Sequence, residues 1–263
     1  MNPEFAAQLT LAVYALLALL ITARQVARCE HGYRTWLLYG LERFYVPLMF
    51  HWRANRRCPF PHDAPALIVA NHRSPVDPLI IWMNHHLAGP NRRIRAISFL
   101  TAREYYERRS LRWLCEAMRC IPVNRDGKDT IAIRDSVRRL QAGDLVAIFP
   151  EGRINLGNRF LDVELGIAFL ALKTQVPVYP VFIHDSPQGL HMAEPFYTLS
   201  RVRLTYGEPV DLSPFYGRKK THELLQEVTD LLMRRVAKLG GDDSAASTGD
   251  ELRPTIPIDK ATG

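Results

Sequence analysis

Ala66-Leu67-Ile68-Val69-Ala70-Asn71-His72-Arg73-Ser74-Pro75-Val76-Asp77-Pro78 is the stretch on which the reading of this chain turns. Leu67, Ile68 and Val69 form a short apolar run of the kind a buried strand uses. Ser74-Pro75 signals a turn. Asp77-Pro78 has the chemistry of a helix start, with Asp at the N-cap and Pro at the first helical position. The order predicts strand, turn, helix. It sets His72 just past the carboxyl end of the strand and Asp77 at the mouth of the helix. In open α/β sheets that is the end where ligands bind.

A neutral imidazole in that position can take a proton from a hydroxyl that faces one of its ring nitrogens. A carboxylate on the other nitrogen fixes the tautomer and stabilises the imidazolium that forms. Asp77 has two oxygens, enough to cap the helix with one and hold His72 with the other. The attacking hydroxyl can then belong to the substrate, with no Ser or Cys nucleophile. Two plainer readings compete. In one, His72 is a satisfied strand-end histidine and Asp77 only a cap. In the other, His72 is a metal ligand, with His85 and His86 nearby in sequence. Adjacent histidines point in different directions on a helix, and no third ligand has the spacing of a known zinc site, so no metal is expected.

Downstream, the pattern alternates. Apolar runs predict strands at 94–99, 120–124, 145–149, 176–183 and 202–206, and helical periods predict helices at 79–87, 101–118, 129–140, 165–173 and 221–239. Such alternation predicts one α/β domain with a central mixed, mostly parallel sheet flanked by helices. The helix at 79–87 should end near Gly89-Pro90. Pro177 and Pro180 predict bulges or an edge position for the strand at 176–183. Pro150 ends the strand at 145–149, so Glu151-Gly152 also falls at a strand's carboxyl end. Gly152 lets backbone approach a ligand closely. Glu151 can accept a hydrogen bond from a substrate hydroxyl or pair with a neighbouring Arg. Arg125 follows the strand at 120–124; its planar fork suits phosphate oxygens, and Asp126 and Asp129 are its competing partners.

Upstream, no charge occurs between Phe5 and Ala23. Residues 9–21 are rich in Leu and Ala, close to the about 20 apolar residues that span a bilayer. The competing signal-peptide reading is weakened by Glu4 and the lack of Lys or Arg before the apolar run. Arg24, Arg28, Arg34, Arg43, Arg53, Arg56 and Arg57 follow it, which predicts a catalytic domain on the cytoplasmic side. Residues 35–52 form an aromatic stretch interrupted by Glu42-Arg43 and kinked by Pro47. It suits an interfacial helix, with packing on the core as the alternative. The expected division is hydrophobic or interfacial helices at 1–57, a catalytic domain at 58–240 and a polar, disordered tail at 241–263. An Arg-rich face around residues 92–112 reads as solvated, or as contacting anionic headgroups at about 1 kcal/mol per charge.

Four segments in order carry a resemblance. Asn71-His72-x-x-x-x-Asp77, Ile121-Pro122-Val123-Asn124-Arg125, Phe149-Pro150-Glu151-Gly152 and Val176-Pro177-Val178-Tyr179-Pro180-Val181 resemble the four motifs of the glycerolipid and lysophospholipid acyltransferases. The resemblance covers about residues 60–210. It implies His72 as general base oriented by Asp77, with Asn71, Arg125, Glu151, Gly152 and Arg153 around the acceptor. It implies that Arg125 binds the acceptor phosphate, with Arg153 as a second contact. It also implies that Pro177 and Val178 shape an acyl pocket, with plain core as the competing reading. The co-substrate would be acyl-CoA or an acylated carrier protein, with no cofactor and no metal. Three positions depart from the family pattern. Arg119 stands where Gly is usual, Asn124 where Asp precedes the Arg, and Glu164 where a Lys is common. The first two predict a changed charge near the acceptor. Glu164 weakens a simple phosphomonoester acceptor and suits a zwitterionic or amine-bearing headgroup.

At 263 residues and 47% hydrophobic content, the chain is long enough for one large domain with its own core. Its +7 net charge suits a negative partner such as anionic lipid, nucleic acid or an acidic carrier. No helix-turn-helix, zinc or RNA-binding signature supports nucleic acid. The four cysteines make no Cys-x-x-Cys pair, so they read as reduced thiols. The expected function is acyl transfer to a free hydroxyl of 1-acylglycerol-3-phosphate or another lysophospholipid by a membrane-associated enzyme. Glycerol-3-phosphate and lysophosphatidylethanolamine are alternative acceptors. The contrasting class is a membrane-bound lipid-binding protein without turnover.

Overall fold

Strands with both faces buried need helices on both sides, and the chain supplies them. The computed structural model describes residues 2–27, 29–87, 94–124, 129–157 and 163–241. In chain order the elements are α1 (Pro3–Ala27), α2 (Gly32–Phe50), β1 (Arg53–Ala54), β2 (Ala66–Ala70), α3 (Asp77–Leu87), β3 (Ile97–Ala102), α4 (Arg103–Glu107) and α5 (Arg109–Ala117). They continue with β4 (Ile121–Val123), α6 (Thr130–Gln141), β5 (Leu145–Ile148), α7 (Gly166–Thr174), β6 (Val178–His184), β7 (Arg203–Tyr206) and α8 (His222–Leu239). The sheet runs β1-β7-β6-β2-β5-β3-β4, with β2 in the middle. Only the β6–β7 pairing is antiparallel among these described strands. The sheet is therefore mixed and mostly parallel, as the alternation predicts.

The period of two along each strand divides the core. Ala66, Ile68 and Ala70 of β2 pack with α2, α3 and α5 on one face. Leu67 and Val69 pack with α6, α7 and α8 on the other. Local chemistry sets the helix starts. Asp129 caps α6 by accepting from Ile131 N at 3.0 Å and Ala132 N at 2.9 Å. Thr221 does the same for α8 through Leu224 N.

Several boundaries differ from expectation. β3 continues to Ala102, and the helix predicted over 101–118 is two helices broken at Arg108, which takes an extended conformation. β1 escapes a periodicity search because it is two residues long; it pairs with the outer edge of β7. Gly89-Pro90 and the tail beyond Gly241 lie outside the described residues.

The edge position expected for β6 is overturned. β6 lies between β2 and β7 although it contains Pro180. The missing N–H of Pro180 faces Gly207, whose own N donates to Pro180 O at 2.9 Å. Gly207 O takes its hydrogen bond from Arg56 Nη2 instead, at 2.6 Å. A Cβ at Gly207 would stand 2.7 Å from the proline ring, so glycine is required there. An arginine side chain thus completes the ladder that proline leaves open.

The N-terminal helices behave differently from each other. α1 buries none of its residues and is long and apolar enough to cross a membrane. α2 buries Leu38, Glu42, Val46 and Phe50 against the core. Its outer stripe, Tyr33, Leu37, Leu41, Phe44 and Leu48, is exposed. α2 and β1, placed by the sequence reading ahead of the catalytic unit, both pack onto it.

Candidate active site

The neighbours β6, β2 and β5 end on the same side of the sheet, because they run parallel. Each delivers part of one cluster. Asn71, at the exit of β2, is buried; it donates to Ile183 O at 3.0 Å and accepts from Ile183 N at 2.7 Å. This side chain fastens the turn to β6 and leaves His72 next to Asp77.

His72 Nδ1 lies 3.0 Å from Asp77 Oδ2. A carboxylate only accepts, so this bond puts the ring proton on Nδ1 and leaves Nε2 as the basic nitrogen. Asp77 is fully buried. Its Oδ2 also accepts from Arg73 N at 2.7 Å and Ser74 N at 2.8 Å, and its Oδ1 accepts from Ser186 Oγ at 2.6 Å. One expectation needs correction here. Asp77 is already the first residue of α3, and its carboxylate turns back over the loop rather than capping the helix. The first-turn donors Leu79 N and Ile80 N go to the Val76 carbonyl.

The loop after β5 closes on the same histidine. Glu151 is buried; it accepts from His72 N at 3.2 Å with one oxygen and from Asn155 Nδ2 with the other. Asn155 N donates to His72 O at 2.8 Å, so both backbone groups of His72 are tied down. Glu151 thus ties the His72 backbone to the loop after β5, each of its oxygens keeping a second lone pair. Gly152 takes φ +63°, a conformation that favours glycine. The Phe149 ring stacks on the His72 ring at 4.1 Å between centroids and 11° between planes.

A cavity of about 360 Å³ opens beside His72. Its walls are mostly apolar, with Pro78, Leu79, Phe99, Leu114, Met118 and Phe149 among them, while Gly152 and Arg153 line it near the base. Cys115 and Cys120 also line it. The Cys120 thiol is pushed well above its ordinary range by its hydrogen bond with Cys115 and by burial. A thiol so disposed stays protonated and is a poor nucleophile.

His72, Asp77, Asn71, Glu151, Gly152 and Arg153 thus come together, while Arg125 lies outside the described residues. Pro177 and Val178 do not line the cavity. They sit at the amino end of β6, and Val178 packs in the core on the opposite face. The competing reading, plain core, is the one the packing supports for Val178, while Pro177 is exposed. Arg119 is also misplaced by the sequence reading. It has φ +55° and pairs with Asp144 at 3.2 Å, just before β5 begins, at the end of the sheet away from His72. Ser186, Asn155 and Phe149 were not expected as site residues. The signals available for them were a Ser two residues past a strand and an Asn four residues after Glu151, both common patterns. Among the described residues, no group of three or more His, Cys, Asp or Glu is placed to hold a metal.

The site is thus an imidazole bonded to a buried carboxylate, set at the strand ends beside an apolar cavity. Residues 53–184 match the family model described as Acyltransferase, and the chain belongs to that family. An uncharacterised protein of Mycobacterium tuberculosis is 30% identical over 187 residues, covering 67% of this chain and 49% of that protein. The chain thus spans about half the length of such relatives. The 1-acyl-sn-glycerol-3-phosphate acyltransferase of Bacillus subtilis is 21% identical over 54% of this chain and 68% of its own. The lyso-ornithine lipid O-acyltransferase of Rhizobium meliloti is 27% identical over 52% of this chain and 59% of its own. The crystal structure of the 1-acyl-sn-glycerophosphate acyltransferase PlsC from Thermotoga maritima has the same fold. It superposes with a TM-score of 0.59 at 22% identity, covering 90% of this chain and 92% of that one.

Proposed function

We propose that this chain transfers a fatty acyl group from the thioester of acyl-CoA or an acylated carrier protein to a free hydroxyl of a lysophospholipid. The observation that carries the reading is the 3.0 Å contact between His72 Nδ1 and Asp77 Oδ2 beside the apolar cavity. His72 Nε2 takes the proton of the acceptor hydroxyl as its oxygen attacks the thioester carbonyl carbon. The new C–O bond replaces the C–S bond, and the leaving thiolate recovers the proton from the imidazolium. Asp77 stabilises that imidazolium throughout. Held in register by Asn71, Glu151 and Asn155, the base meets the acceptor without reorganisation. Arg153 serves the acceptor phosphate, and Arg125 is expected to join it. The cavity takes an acyl chain, which its apolar walls suit.

Membrane association supports the same reading. α1 offers an apolar span, and the outer stripe of α2 offers an interfacial face. The arginines that follow α1 favour placing the site on the cytoplasmic side. The test is to incubate the purified chain with a panel of lysophospholipids and labelled acyl-CoA, with acylated carrier protein in parallel, and to identify product lipids by mass spectrometry. A lipid-binding protein without turnover would retain lipid and yield no acylated product in either arm.

A further inference from the structure

Two exposed charges beside Gly152, one of them lining the cavity, have no protein partner among the described residues. Arg153 lines the cavity next to Gly152, which lines it too. Glu164 N donates to Pro150 O at 2.9 Å, which ties it to the exit of β5. A Cβ at Gly152 would stand 3.9 Å from Glu164 Cγ, so the Glu164 stem lies over this glycine. Among the described residues neither side chain makes an ion pair or a side-chain hydrogen bond. They do not pair with each other either.

Opposite charges left unspent on either side of the same glycine in sequence and space, Arg153 next to it in the chain and the Glu164 stem over it, match a ligand that carries both signs. A phosphodiester oxygen can meet the Arg153 guanidinium while an ammonium group beyond it meets Glu164. A phosphomonoester carries up to two negative charges and no positive one, so Glu164 opposes it. We infer that Glu164 reads positive charge on the acceptor headgroup, and that the acceptor is an amine-bearing lysolipid. This inference rests on the acyl-transfer reading above. It assigns Glu164 to specificity, not to the proton transfer.

The experiment uses the full chain in detergent micelles with oleoyl-CoA and, in parallel, oleoyl carrier protein. The acceptors are lysophosphatidylethanolamine, lysophosphatidylglycerol and lysophosphatidic acid with one common acyl chain. The wild type should show its highest kcat/KM with the ethanolamine lipid. Exposed charge pairs contribute modestly, so Glu164→Gln should lower that value about two- to fivefold relative to lysophosphatidylglycerol. Glu164→Lys should move the preference toward lysophosphatidic acid. Unchanged acceptor ratios across the three proteins, or a wild type that favours lysophosphatidic acid, would overturn the inference while acyl transfer stands. A wild type that acylates none of the acceptors would remove the acyl-transfer reading and this inference together. Matching melting temperatures for the variants separate specificity from misfolding.

Discussion

Asp77 and Glu42 are both buried carboxylates, and the fold treats them in opposite ways. Asp77, at the strand ends, accepts from His72 Nδ1, Arg73 N, Ser74 N and Ser186 Oγ. Glu42, on the inner stripe of α2, has an Oε2 with no hydrogen-bond partner and a pKa pushed up to about 8 by burial. A carboxylate surrounded by donors can carry negative charge in the interior; one without them keeps its proton. The first arrangement fixes the neighbouring imidazole. The second only lets a helix lie against the core.

The largest effects should come from breaking the first arrangement. His72→Ala should lower kcat/KM for acyl transfer by about 10²–10⁴-fold, the loss typical of a general base. Asp77→Asn should fall within about tenfold of that, since an amide in this donor-filled pocket misorients the imidazole. Because the two act as one unit, the double variant should be little worse than His72→Ala alone. Additive losses would show that Asp77 acts apart from the histidine. The circular dichroism spectra of the variants check that the fold survives.

Ser186→Ala probes the outer partner of the same carboxylate. It removes one hydrogen bond to a charged acceptor and leaves three, so activity should fall about tenfold. A pH–rate profile distinguishes the roles. If Ser186 positions Asp77, and Asp77 the imidazole, the acidic limb of the profile, which reports loss of the free imidazole, should move along with kcat. A fall in thermal stability with an unmoved profile would make Ser186 merely structural.

The sequence made the strand-turn-helix around His72 legible because its signals are local. An apolar run, a Ser-Pro turn and an Asp-Pro helix start all act within 13 residues. The two-faced burial of β2 and β5 was legible for the same reason, since continuous apolar runs have few other uses. What was not legible depends on distant partners. Ser186 reaches Asp77 across 109 positions, and Asn71 finds Ile183 across 112. The interior place of β6 contradicted the proline rule because a side chain from Arg56 supplies the absent bond. Val178 read as pocket from its motif but packs in the core, since strand direction sends only the carboxyl end of β6 to the site. Arg119 read as near the acceptor for want of the same directional information.

The smallest expected effect tests the second arrangement. Glu42 ionises near 4.5 when unfolded and at about 8 when folded. Below pH 4.5 both forms hold the proton and the residue adds no pH dependence. Between pH 4.5 and about 8 the unfolded chain gives up a proton that the folded chain keeps, so stability declines as pH rises, and levels off above. Glu42→Gln removes this titration while preserving shape. The variant should gain about 2–4 °C in apparent melting temperature at pH 8.5 and little at pH 4.5, the shift expected of a small gain in a chain this size. An equal shift at both pH values would mean that the helix tolerates Gln for packing reasons alone. A loss at pH 8.5 would mean that Glu42 is stabilised as an anion, and the contrast with Asp77 would then be wrong. Acyl-transfer activity at pH 7 should be unaffected in either case, because α2 meets the sheet on its core face and Glu42 does not line the cavity.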